Sequence, residues 1–363
     1  PAAAPTPTPA SAPAPTAAPA PADALTLEEK IGQLFIIRPD ALDLTLPQET
    51  INDAKADGVT MLTDAMRETL QAYPVGGICQ FGKNITDPEQ LNADLQAASR
   101  TPLFIAVDEE GGAVARLANH PAFDLPQYES AAAVGASGDP ADACAMGQTI
   151  GAYLKEYGFN MDFAPDADVN TNPDNPIIGT RAFSSDAATA AEMAAAAADG
   201  LRTSGILPTL KHFPGHGDTA EDSHTALAVT YKTLDELQAC ELLPFAADTG
   251  LHAVMVGHIA APNVTGDDTP ATLSPQLVAL IPDAENTLIV TDSLAMDAIT
   301  AAYTPGEAAV QALQAGCDIL LMPNSLPEAY AAVLEAVQNG TISEERLDRS
   351  VNKILLYKQQ FAS

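Results

Sequence analysis

Tryptophan is absent from this chain of 363 residues, and aromatic residues make up only 5% of it. So few rings exclude an aromatic stacking platform as the main recognition device, and polar contacts must carry recognition of any polar ligand. Basic residues are also scarce: 16 Lys and Arg stand against 48 Asp and Glu, a formal charge of −32. A nucleic-acid partner needs a basic footprint, and none is present. Docking on anionic lipid is disfavoured for the same reason. No run of 18 apolar residues occurs, which excludes a membrane-spanning helix. The four cysteines, Cys79, Cys144, Cys240 and Cys317, lie far apart in apolar or alanine-rich surroundings. They form no disulfide framework and no metal-ligand spacing, and are read as buried free thiols. No repeat at a short period is visible.

What is present divides the chain in two. Residues 1–23 consist almost entirely of Pro, Ala, Thr and Ser. Proline removes backbone donors and favours extended conformations, so this segment is expected to be a disordered, semi-stiff spacer. Such a spacer would tether the rest, residues 24–363, to a bacterial cell envelope. An extracellular or envelope-anchored location is therefore expected, with a cytoplasmic one as the alternative. Beyond it, short apolar runs alternate with alanine-rich helical stretches. The strand-like runs are Gln33–Ile37, Gly77–Phe81, Leu103–Val107, Asn160–Phe163, Pro208–His212, Ala253–Gly257, Leu288–Thr291 and Ile319–Met322. Continuous rather than alternating apolarity suits parallel strands covered on both faces. Helices are predicted over Thr26–Gly32, Pro140–Glu156, Asp186–Ser204, Leu234–Asp248, Pro305–Ala315, Ser325–Gln338 and Ser343–Phe361, with Asp139 capping the second. Eight strands with intervening helices predict an α/β fold, a single (β/α)8 TIM-type barrel. The rival open sheet lacks a Gly-x-Gly-x-x-Gly after the first strand.

A barrel gathers functional groups where its strands end. Asp108 ends the third run, Asp166 and Asp168 follow the fourth, Lys211 and His212 end the fifth, His258 follows the sixth and Asp292 ends the seventh. Residues 211–224, Lys-His-Phe-Pro-Gly-His-Gly-Asp-Thr-Ala-Glu-Asp-Ser-His, hold three of the six histidines. A Gly-rich polar loop has little to bury, so these residues are placed for chemistry. Asp222 and His224 lie two apart, so in an extended segment the carboxylate faces the imidazole and orients it as an acid or base. Asp292 directly after an apolar strand is either a helix N-cap or a nucleophile. His212, His216, His224 and Asp222 are all possible metal ligands. Their spacing is not that of a helical His-x3-His zinc site, and no metal or cofactor is expected. His258 is either a support for the site or a satisfied core histidine.

The motif at 211–224 resembles the signature of family 3 glycoside hydrolases in the β-N-acetylhexosaminidase branch. Further stretches resemble the same family: Leu25–Phe35, Ile105-Ala-Val-Asp-Glu-Glu-Gly-Gly with Arg116, Asn175-Pro-Ile-Ile-Gly-Thr-Arg with Arg181, and Val290-Thr-Asp-Ser-Leu-Ala-Met. The resemblance implies that Asp292 is the nucleophile, His224 the general acid/base and Asp222 its partner. It implies that Asp108, Arg116, Arg181, Lys211 and His212 hold a terminal sugar. His216 and Asp218 would shape the loop. Glu109 stands where the family has glutamine, an extra negative charge near the rim. The implied activity is a retaining exo-β-N-acetylglucosaminidase acting on peptidoglycan fragments (muropeptides), chitooligosaccharides or related glycans. The alternatives are a phosphorylase or β-glucosidase of the same family, or a wall sugar-binding module without turnover.

Overall fold

The structure, a computed structural model, describes residues 22–220 and 227–362. Eight strands form its centre: β1 (Phe35–Ile37), β2 (Gly77–Gln80), β3 (Phe104–Val107), β4 (Met161–Asp162), β5 (Leu207–Phe213), β6 (Ala253–Val256), β7 (Leu288–Thr291) and β8 (Leu320–Leu321). Neighbours pair in parallel and in chain order from β1 to β7, and β8 pairs with β1. The seam between β7 and β8 is bridged at Val290 and Ile319, where the Thr291 N–H donates to the Ile319 carbonyl at 3.0 Å. The ring is a (β/α)8 barrel in a single domain, as the alternation of runs implies. Every residue of these strands is buried, which is why they read as unbroken apolar runs.

The helices follow local chemistry. Asp139 accepts the Ala141 N–H at the start of Pro140–Glu156, with Pro140 in the first turn. The expected helix over 234–248 is two, Leu234–Ala239 and Leu243–Ala247. Cys240 leaves helical geometry (φ −139°, ψ −83°), and Pro244, which has no N–H to donate, fits only in the first turn of the second piece. Sequence reasoning also missed the segment after β1, a 3-10 turn Pro39–Leu42 and a short helix Gln48–Asn52, which lies at the barrel mouth. Ala22 is buried and donates to Asn352 Oδ1 at 2.9 Å, so the expected spacer boundary at residue 23 falls inside the turn Ala22–Ala24. The spacer before it lies outside the described residues. The four cysteines are free, but only Cys79 and Cys317 are buried; Cys144 and Cys240 sit half-buried on helix and turn. No helix among the described residues is long and apolar enough to cross a membrane.

One charge is buried at the end of the barrel opposite the mouth. Lys358, in the last helix Glu344–Phe361, donates to Gln33 Oε1 at 2.6 Å and lies 5.4 Å from the Phe104 ring centre. Burial pushes its ammonium down to about 7. The unfolded chain therefore binds more protons than the folded one above that pH, up to the ordinary lysine range. Stability then rises with pH across this window, by at most about 1.4 kcal/mol per pH unit for one proton. The expected outcome is that Lys358→Met flattens the rise of the urea midpoint between pH 7 and 10; an unchanged slope would place the titration elsewhere.

Candidate active site

The carboxyl ends of the strands open into a cavity of about 730 Å³. Asp108, Arg116, Arg181, Lys211, His212 and Asp292 all line it. Six of the eight site residues read from the sequence are thus brought together. The other two, Asp222 and His224, lie outside the described residues.

Asp108 leaves β3 and enters a hairpin, Glu109–Gly111 against Val114–Ala115. Its turn needs Gly112 at φ +63°, where a Cβ would also come 2.9 Å from Ser130 Cα. The hairpin returns Arg116 to Asp108: the Arg116 N–H donates to the Asp108 carbonyl at 3.3 Å, and its guanidinium stands 3.5 Å from the carboxylate. Lys211 Nζ contacts the same carboxylate at 2.8 Å and Glu110 at 2.6 Å. Glu110 in turn receives two parallel hydrogen bonds from Arg181, at 2.9 and 2.8 Å. This fork-to-fork geometry is the strong form of a carboxylate–guanidinium pair. Glu110, which sequence reasoning left without a role, is therefore the link between Lys211 and Arg181.

Consecutive residues of a regular strand face opposite ways, yet Lys211 and His212 both line the cavity. The pairing register of β5 on β6 shifts between Leu210 and Phe213, an irregularity of the kind that re-aims a side chain. His212 Nδ1 lies 2.7 Å from Asp168, and the carboxylate can only accept, so that nitrogen carries the proton. Nε2 then presents a lone pair towards Arg181 Nη2 at 3.5 Å. Asp168 also accepts the His216 N–H at 2.5 Å. The strand leads into Pro-Gly-His-Gly, where Gly217 passes so close that a Cβ would sit 2.0 Å from the Val169 carbonyl. Asn175 ties this turn to the arginine segment. Its amide donates to the His216 and Thr219 carbonyls and accepts the N–H groups of Ile177 and Ile178.

The acids of the buried layer are not all shifted the same way. Burial raises the Asp108 carboxyl, but Lys211 and Arg116 outweigh it and hold it below the usual range. Glu110 is likewise held down by Arg181 and Lys211 against burial. Asp168 is held down by His212, again against burial. Asp166 goes the other way: burial and then the Asp168 carboxylate push it well above the usual range. The acids held down are those in direct contact with a donor: Asp108 with Lys211 and Arg116, Glu110 with Arg181 and Lys211, and Asp168 with His212. Asp166, Asp168 and His212 bring ligand atoms within 4.8 Å of one another. Arg181 Nη2 stands 3.6 Å from Asp166 and 3.5 Å from His212, so a fixed guanidinium charge already sits beside two of those three. The donor set is met by that cation.

Asp292 directly follows β7, its N–H donating to the Val256 carbonyl of β6 at 2.8 Å. One carboxylate oxygen accepts the Ser293 N–H at 2.7 Å. It does not cap the next helix, Asp297–Thr300, whose N-cap is Met296. His258 resolves into a support for this turn. It is fully buried, with Nε2 2.8 Å from the Ser293 carbonyl and Nδ1 2.7 Å from Thr272 Oγ1. Glu109, expected to add charge near the rim, turns away from the cavity. It accepts the N–H groups of Leu117 and Ala118 and the Tyr153 hydroxyl, each at 2.8 Å, and burial raises its carboxyl. Asp218 precedes the undescribed segment and accepts from Thr230 Oγ1, after it, at 3.1 Å. Lys232 lies 3.4 Å from Asp218 and also binds Glu241, so the two ends of that segment are held together.

Comparison with known proteins places this geometry. Residues 26–356 match the family described as the glycosyl hydrolase family 3 N terminal domain. The chain is 32% identical over 335 residues to β-hexosaminidase A of Pseudoalteromonas piscicida, covering 83% of this chain and 56% of that protein. It is 33% identical over 342 residues to β-hexosaminidase LpqI of Mycobacterium tuberculosis, covering 87% of this chain and 83% of that protein. Among solved structures, a family 3 β-N-acetylglucosaminidase from Paenibacillus superposes with a TM-score of 0.82 at 38% identity, over 93% of this chain and 63% of that one. The chain therefore spans less than two thirds of two of these three relatives.

The buried link at Glu110 makes a prediction of its own. Glu110→Gln leaves Arg181 and Lys211 facing one carboxylate fewer in a dry layer, which typically costs about 3–5 kcal/mol. Urea unfolding of the variant should show a loss of that size; a change below about 1 kcal/mol would mean that the network rearranges without it.

Proposed function

Because the chain belongs to glycosyl hydrolase family 3, we propose that it is a retaining exo-β-N-acetylglucosaminidase, releasing terminal β-linked N-acetylglucosamine from peptidoglycan fragments or chitooligosaccharides. The observation that carries this reading is the meeting, in one cavity, of the half-buried Asp292 carboxylate with Asp108, Arg181, Lys211 and His212. Asp108 accepts sugar hydroxyls, and Lys211 and Arg181 donate to hydroxyl or acetamido oxygens. Each donor is held by a buried carboxylate, so little reorganisation is needed when substrate arrives. The relatives named β-hexosaminidase support the hexosamine preference.

In the first step Asp292 attacks the anomeric carbon. The bond to the leaving oxygen breaks as His224, held by Asp222, protonates that oxygen. A glycosyl ester on Asp292 forms through an oxocarbenium-like transition state. His224, now neutral, then takes a proton from water, and the water oxygen displaces Asp292. The backbone hydrogen bond from Ser293, itself held through His258, keeps Asp292 aimed. A neutral histidine does not repel an anion as a carboxylate base would, so phosphate in place of water leads to the phosphorylase alternative. Assays with and without phosphate separate the two by whether sugar 1-phosphate forms. The Pro/Ala-rich residues 1–23 suit a tether to the cell envelope.

Two substitutions test the mechanism. Asp292→Asn should lose turnover by roughly 10⁴-fold or more, and a 2-fluoro-sugar should label Asp292 in the parent protein. His224→Ala should slow unactivated glycosides by roughly 10²–10⁴-fold, and nitrophenyl glycosides less. Labelling of another carboxylate, or equal losses on both substrate types, would overturn the assignment.

A further inference from the structure

Five of the 16 basic residues, Arg38, Lys83, Arg116, Arg181 and Lys211, line the active-site cavity and belong to the site already described. A second group of cations stands at the other end of the barrel. Arg346, Arg349 and Lys353 lie at i, i+3 and i+7 of the last helix, on one face of it. They line a cavity of about 440 Å³ at the amino ends of β7 and β8, with Ile289 from the start of β7 and Asp318 just before β8. Much of the remaining wall is apolar, with Val278, Ala279 and Ala315 beside Ile289. An apolar pocket of this size with a few polar groups converging on it is the usual form of a small-molecule site. The rival account is packing, since the amino-terminal face of such a barrel commonly serves stability.

Packing accounts for only part of the group. Lys353 donates to the carbonyls of Ala284 and Thr287 at 3.0 and 2.8 Å and to Asp318 at 2.7 Å, which uses every N–H of its ammonium. Asp318 is buried and also accepts the Ile289 N–H at 3.1 Å and the Ser350 hydroxyl. Arg346 donates to the Leu313 carbonyl at 3.1 Å, to the Cys317 carbonyl at 2.6 Å and to Ser350 Oγ. Those bonds hold its plane and leave part of its five-donor fork unused among the described residues. Its charge stands 3.8 Å from Asp318, the carboxylate that Lys353 already pairs with. Arg349 lines the same cavity, is exposed, and forms no ion pair or hydrogen bond among the described residues. Burial lowers the Arg346 guanidinium, Asp318 only partly offsets this, and the charge of Arg349 adds to it. The two guanidiniums are thus close enough to repel. Glu285, the other acid of the lining, is exposed and forms no ion pair among the described residues.

From this arrangement we infer that Arg346 and Arg349 form a second binding site, at the amino end of the barrel, for a phosphate monoester with a short apolar tail. Neighbouring guanidiniums with unused N–H groups match the oxygens of a phosphate. A phosphate monoester carries roughly −1.5 to −2 charges at neutral pH, enough to balance both arginines, whereas a carboxylate balances one. The tail lies against Val278, Ala279 and Ile289. The site is independent of the glycosidase reading, which concerns the opposite end of the strands.

Methyl NMR of the whole protein tests this with three probes: butyl phosphate, inorganic phosphate and pentanoate. The Ile289 methyl groups report this cavity, and those of Met296 and Met322 report the active-site cavity. Butyl phosphate should shift Ile289 saturably, with a Kd of about 1 mM or tighter. Inorganic phosphate, which lacks the tail, should bind at least about fivefold more weakly, and pentanoate, with half the charge, weaker by a similar factor. Arg349→Met, at an exposed position, should weaken butyl phosphate by about tenfold, and Arg349→Lys by less. Glu285→Gln should tighten it by roughly two- to fivefold, the worth of one exposed charge contact. Raised salt should weaken it. Absence of a saturable Ile289 shift overturns the inference. A shift confined to Met296 and Met322 also overturns it, because the anion then occupies the active-site cavity. So does pentanoate binding as tightly as butyl phosphate, or an affinity unchanged in Arg349→Met.

Discussion

Lys211, Glu110 and Arg181 form one continuous buried contact, and the rest of the cavity is arranged around it. Lys211 reaches Asp108 from β3 and Glu110 from the hairpin that follows. Arg181 reaches Glu110 and stands beside Asp166 and His212. Charges this deep are costly unless each has a partner, so the pairs hold three separate chain segments at a fixed spacing. That spacing is what a rigid, hydroxyl-rich ligand needs, because a sugar offers many weak contacts and no deformable surface.

Around that contact, groups that never face the cavity hold those that do. Glu109 gathers the N–H groups of Leu117 and Ala118, directly after Arg116. His258 bonds the carbonyl next to Asp292 and is steadied by Thr272, whose hydroxyl also lies within hydrogen-bond reach of the Val256 and Gly257 carbonyls. Asn175 joins the Arg181 segment to the turn after β5. These contacts set aim rather than chemistry, and precision of aim is what a site built from several strand ends lacks by default.

The barrel itself was legible because its strands are buried on both faces and so appear as short apolar runs at regular spacing. Asp108, Lys211, His212 and Asp292 were legible because a charged residue directly after such a run has no packing explanation. Glu110 was not, since its neighbour Glu109 looks the same in sequence; only the hairpin decides that one faces the guanidinium and the other the backbone behind it. Arg38 was missed because an arginine after a strand reads as an ordinary solvent-facing charge, and its lack of an ion pair among the described residues is a three-dimensional fact. The break at Cys240 was signalled by Pro244, but the surrounding helical pattern outweighed it. Asp222 and His224 lie outside the described residues.

The cations of the cavity stand in a molecule whose exterior is otherwise strongly acidic. Any anion diffusing towards it feels repulsion first and attraction only within about one screening length, roughly 8 Å at physiological ionic strength. Capture is therefore slow from a distance and secure once inside. Moderate salt would quicken the encounter even as it loosens the grip, so the two halves of binding respond to ionic strength in opposite senses.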